Sequence, residues 1–172
     1  MGILQETMFR EAWSIAKEDL QNALDKINEW DDFVPVWSDV YIMTHSFNNG
    51  RGWFIPLGNS KSIGMYIIRH IPSKNKVMYI GEGKVWERKV RHTWTFTGLI
   101  ESGSMEQLKL DRPGSKSGLS ECAEKMFNKD KKLKNWSFQA CIVDSKALSK
   151  RMEMVWKAKY NPPFNVEGYH VT

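Results

Sequence analysis

A chain of 172 residues with 41% hydrophobic and 26% charged residues and two cysteines can bury the core of one domain. It is too poor in cysteine for a disulfide framework or a cysteine-based zinc site, so Cys122 and Cys141 are expected as packed, reduced thiols. No run approaches the roughly 20 apolar residues of a membrane span, and Met1-Gly2-Ile3-Leu4-Gln5-Glu6 lacks the charged-then-apolar pattern of a secretion signal, so a cytoplasmic protein without membrane contact is expected. The net charge of +5 conceals a split: residues 1–62 carry 5 Lys/Arg against 9 Asp/Glu, a net of −4, and residues 63–172 carry 20 against 11, a net of +9. A basic portion of that size suits a polyanionic partner, and the acidic N-terminal part argues against uniform coating of nucleic acid.

In chain order, Met8, Ala12, Ile15, Ala16, Leu20, Leu24 and Ile27 recur at steps of three and four and predict a long amphipathic helix over Glu6 to Trp30. The aromatic-rich stretch that follows holds a turn at Asn48 to Gly52 between candidate strands Val40 to Met43 and Trp53 to Ile55. Met65 to Ile68 and Val77 to Ile80 read as strands, and Pro72, Ser73 and Asn75 between them predict an antiparallel hairpin. A basic helix is expected from Lys84 to Trp94, with Arg88 and His92 four residues apart on one face. Thr97 to Leu119 contains four Gly and one Pro with poor periodicity, which predicts a loop with a short helix near Met105 to Leu108. Ser120 is a candidate cap for a helix through Phe127, Trp136 to Val143 is a third strand, and Ser145 caps a helix through Lys159 that Asn161-Pro162-Pro163 terminates. The expected fold is α+β, a small antiparallel sheet of about three strands flanked by helices, with an N-terminal helical extension over residues 1–61.

Tyr66 and Tyr79 carry the first chemical signal, because pairing two strands can bring both phenols to one region beside a cationic helix. Gly64-Met65-Tyr66, Tyr79-Ile80-Gly81, Arg88 on the next helix, Glu153 on a later one and Asn165 after the double proline together resemble the GIY-YIG nuclease superfamily. The resemblance covers residues 62–166, and the spacing is most like compact type II restriction enzymes and related phage endonucleases. It implies a metal-dependent endonuclease that hydrolyses double-stranded DNA to 5′-phosphate and 3′-hydroxyl ends. Within it, Glu153 holds Mg²⁺, with Mn²⁺ as a substitute. Tyr66 is the general base, Tyr79 supports it, Arg88 binds phosphate through its planar fork, and His92 joins the proton network. Asn165 fixes the metal-bearing region or touches a phosphate. Arg88 falls one residue short of the family's frequent spacing, which leaves Arg91 as a rival. His45, His70 and His170 show no ligand spacing and are read as structural. The alternatives are a non-catalytic nucleic-acid-binding domain of the same fold and a homing nuclease of relaxed specificity, with RNA as the less favoured substrate. Cutting both strands at a symmetric site would call for a homodimer, with the Glu6 to Trp30 helix as its candidate interface.

Overall fold

A computed structural model describes residues 37–43, 61–143 and 145–165; the expected helix at Glu6 to Trp30, the turn at Asn48 to Gly52 and the strand at Trp53 to Ile55 lie outside them. The architecture is α+β, as the sequence pattern implies. Strands β1 (Tyr41–Ile42), β2 (Ile63–His70), β3 (Lys76–Lys84) and β4 (Trp136–Val143) form one sheet in the order β1-β4-β2-β3. All pairings are antiparallel. Helices α1 (Val85–Ser102), α2 (Met105–Asp111), α3 (Glu121–Lys129) and α4 (Lys146–Tyr160) flank it.

Among the described residues the sheet therefore has four strands rather than about three. Strand β1 lies within the expected strand Val40 to Met43, and the segment just before it is held by neighbours distant in sequence: Ala140 N–H donates to Ser38 Oγ at 3.0 Å, and Gln139 Nε2 to the Ser38 carbonyl at 2.9 Å. Residues 37–43 are in this way tied into the same sheet as the tyrosine motifs.

Alternation along β2 and β4 sorts the core into two layers. Tyr66, Ile68, Phe138 and Ala140 face a cluster with Phe96, Leu99, Met126 and Phe127 of α1 and α3, whereas Met65, Ile67, Cys141 and Val143 face Met152 of α4. Both cysteines are free and buried. The β2–β3 register shifts between Ile68, opposite Tyr79, and Arg69, opposite Val77. Met78 is thus the extra residue of a bulge, which turns Met78 and Tyr79 toward the same layer despite their adjacency.

Gly64 lies opposite Ile142 on β4. A Cβ there would overlap the Cys141 carbonyl and crowd the Ile142 Cα at 3.1 Å, and backbone in the middle of a sheet cannot step aside cheaply. Gly64→Ala is expected to lower stability by about 1–3 kcal/mol, the usual cost of overpacking, read as an earlier midpoint in urea unfolding. A midpoint equal to that of the parent would refute this account of the glycine.

The stretch Thr97 to Leu119, expected as a loop, is largely helical. Helix α1 runs on to Ser102, where Gly103 at φ 84° closes it, and α2 follows under a Ser104 cap. Three threonines and a glycine weaken the helical signal here, but tertiary packing overrides it. Leu108, fully buried, sits so close to Gly98 that a Cβ would stand 2.7 Å from its Cδ1. Ser120 and Ser145 cap α3 and α4 as expected, accepting from the amides of Ala123 and Leu148.

Candidate active site

A cleft of about 420 Å³ opens where β2, β3, α1 and α4 meet, and Tyr66, Tyr79, Arg88, His92 and Glu153 all line it. Tyr66 sits opposite Gly81 with Tyr79 diagonal to it, so the hairpin places both rings on one face. Their centroids are 6.0 Å apart. A methyl group at Gly81 would overlap Cζ and the hydroxyl of Tyr66, which gives the last residue of Tyr79-Ile80-Gly81 a steric reason: the phenol needs the space. Tyr66 also stacks on Phe138 at 5.0 Å and is 2% exposed.

The Tyr66 hydroxyl lies 2.8 Å from His92 Nε2, and His92 Nδ1 lies 2.6 Å from Ser120 Oγ. With Nδ1–H donating to Ser120, Nε2 is left to accept the phenol proton. Ser120 Oγ also accepts from the Ala123 amide at 3.0 Å, so one hydroxyl caps α3 and orients the imidazole. The sequence shows only the capping role, because nothing in residue spacing places α3 against α1. Burial, with Tyr79 and Cys122 adding to it and Arg88 opposing, raises the Tyr66 pKa well above the ordinary phenol value. Burial first, then Arg91 and Arg88, lowers His92 to about 3. The resting pair is therefore a neutral phenol bonded to a neutral imidazole.

That state has a consequence for stability. The folded pKa of His92, about 3, lies below the ordinary value of about 6.5, so below pH 6.5 the unfolded chain takes up a proton that the folded chain refuses. Stability contributed by the neutral imidazole is present above pH 6.5 and is lost as pH falls toward 3, by roughly 1.4 kcal/mol per unit. His92→Gln should remove this slope: urea midpoints measured between pH 7.5 and 4.5 should fall more steeply for the parent than for the variant. Parallel lines would contradict it.

Arg88 and Arg91 both line the cleft, but their surroundings differ. Arg91 donates to the carbonyls of Gly118 (3.0 Å) and Leu119 (2.7 Å) and ties down the segment before α3. Arg88 lies against the backbone of Gly83 at the end of β3. Glu153, on α4, is 8% exposed and forms an ion pair with Lys157 one turn later. Sequence reasoning passed over Lys157 and also Glu82, whose carboxylate lies 3.5 Å from Ser149 Oγ and 3.8 Å from Lys150 Nζ. The i, i+4 spacing of Glu153 and Lys157 was a visible signal, though it is common on solvated helices.

Asn165 stands apart from the cleft lining. Its Oδ1 accepts from the Ile80 amide and its Nδ2 donates to the Ile80 carbonyl, both at 2.7 Å. One side chain thus does for the outer edge of β3 what another strand would do, and it holds the middle of Tyr79-Ile80-Gly81 in place. His70, read as structural, bridges Ser73 Oγ (2.6 Å) and Asp130 (2.8 Å) away from the cleft. His45 and His170 lie outside the described residues. Among the described residues no three His, Cys, Asp or Glu side chains form a metal-binding group, and no helix is long and apolar enough to cross a membrane. Comparison of the chain with protein-family models, curated proteins and solved structures gives no match in any of the three.

Proposed function

We propose that this chain is an endonuclease of the GIY-YIG type, hydrolysing phosphodiester bonds of duplex DNA to 5′-phosphate and 3′-hydroxyl ends. The observation that carries the reading is the convergence of Tyr66, Tyr79, Arg88, His92 and Glu153, from four separate elements, on one cleft. Charge supports it as well. Arg88, Arg91, Lys125, Lys150 and Lys157 line the cleft against Glu82, Glu121 and Glu153, and five cations to three carboxylates favour a polyanionic substrate.

The donor set fits a divalent ion. Glu153 is a buried carboxylate that already holds a cation, the Lys157 ammonium, and Mg²⁺ is content with one or two carboxylates because it keeps several waters. When bound, such an ion supplies Lewis-acid stabilisation of charge on the phosphate oxygens. The remaining chemistry belongs to the chain. Arg88 would grip the phosphate and so offset the positive charge that helps to keep His92 neutral. Burial, the larger cause of the low His92 pKa, remains, so His92 Nε2 would take the Tyr66 proton only in concert, as the phenol oxygen takes the proton of the attacking water. The water oxygen bonds to phosphorus as the P–O bond to the 3′-oxygen breaks; a proton from solvent completes the 3′-hydroxyl, and His92 returns its proton to solvent.

Incubation with supercoiled plasmid and with defined duplexes in Mg²⁺, followed by sequencing of the ends, tests the proposal. Nicked or linear products bearing 5′-phosphates are expected. Binding without cleavage would favour a non-catalytic module, and a tenfold preference for single-stranded RNA would overturn the choice of DNA.

A further inference from the structure

We propose that Lys157 is the resident counter-cation of Glu153, that a divalent ion competes with it for that carboxylate, and that the displaced ammonium moves to a phosphate oxygen of the substrate. The inference rests on the metal-dependent reading above and adds a residue and an order of events to it.

Lys150, Glu153 and Lys157 occupy positions i, i+3 and i+7 of α4 and line the same cleft, so they form one stripe along the helix. The two members of the central pair differ in freedom. The Glu153 side chain is 11% exposed, whereas that of Lys157 is 37% exposed. A carboxylate so far removed from water needs a cation beside it at all times. The ammonium has no such constraint: it sits on a flexible four-carbon stem with a route to solvent. The same arrangement recurs one step along the cleft, where Lys150, 63% exposed, faces Glu82, 14% exposed, at 3.8 Å.

Two cations cannot share one carboxylate without repelling each other. A divalent ion arriving at Glu153 therefore drives Lys157 off, and in the occupied cleft the anion within reach is the phosphate. The exchange couples the two ligands. Without DNA, Lys157 holds Glu153 and the ion binds weakly; with DNA, the phosphate draws Lys157 away and the ion binds tightly. Linkage makes the effect reciprocal, so the ion strengthens DNA binding by the same factor. Such a lock would keep the cleft from assembling its full charge set until both ligands are present.

Mn²⁺ binding to the full chain without DNA, followed by electron paramagnetic resonance, tests the idea. Lys157→Met should tighten the Mn²⁺ Kd about fivefold or more, yet slow cleavage because the phosphate contact is lost. Glu153→Gln should abolish binding of Mn²⁺ in the cleft. Lys157→Gln, which keeps a polar head without the charge, should behave as Lys157→Met does and covers the case in which methionine perturbs the fold. A second measurement needs no substitution: in pulse acetylation read by mass spectrometry, saturating Mn²⁺ should raise labelling of Lys157 several-fold while exposed Lys134 stays constant. Unchanged Mn²⁺ affinity in the lysine variants, or labelling of Lys157 indifferent to Mn²⁺, overturns the exchange while leaving the nuclease reading in place. Parental Mn²⁺ binding by Glu153→Gln would instead remove the metal assignment, and the exchange with it.

Discussion

Glu153→Gln is expected to bring DNA cleavage below detection while duplex affinity holds or rises. The substitution keeps the size of a side chain that is 11% exposed in the wall of the cleft, and it costs little in helix propensity. What it removes is the negative charge. On the proposed reading that charge would, without metal, face the scissile phosphate across a partly desolvated cleft, so its loss would relieve a repulsion; with metal, its loss would remove the principal anionic ligand. Lys157 then lacks its partner, but with 37% of its side chain exposed the ammonium can turn to water, and folding should survive. Electrophoretic mobility shifts and plasmid cleavage on the same preparation separate the two effects. Cleavage at the parental rate in Mg²⁺ would sink the metal assignment and most of the mechanism.

Tyr66→Phe should lower the cleavage rate by about 10²- to 10⁴-fold, the usual effect of losing a positioned proton-transfer group, with little change in affinity for duplex. The ring keeps its stacking on Phe138 at 5.0 Å and its place over Gly81. The hydroxyl is lost from a buried pair, however, and His92 Nε2 loses the partner that stood 2.8 Å away. A cost of about 1–3 kcal/mol in stability should accompany the kinetic effect, since a buried polar atom is left unsatisfied. Urea unfolding reads that cost, and single-turnover cleavage reads the rate. Turnover near normal would transfer the proton role to Tyr79 or His92.

Elements with local signals can be read from the residues alone. Alternation and the turn residues at Pro72 to Asn75 define the hairpin, a hydroxyl three residues ahead of an amide marks the caps at Ser120 and Ser145, and Pro162-Pro163 stops α4; each rests on contacts within a few residues, and each is found where expected. The site residues were legible as a set of types in order, but their relations were not. The Tyr66–His92 bond joins residues 26 apart, and the Asn165–Ile80 pair joins residues 85 apart. Tertiary structure alone decided that Asn165 braces the edge of β3, that Arg91 ties down a loop, that Ser120 orients an imidazole while capping a helix, and that Lys157 is the partner of Glu153. It also decided that Thr97 to Ser102 is helix, because Leu108 packing against Gly98 outweighs a weak local preference. The division has a single physical cause: caps, turns and alternation are set by neighbours along the chain, whereas charge state, burial and hydrogen-bond partner are set by neighbours that only the packed layers supply.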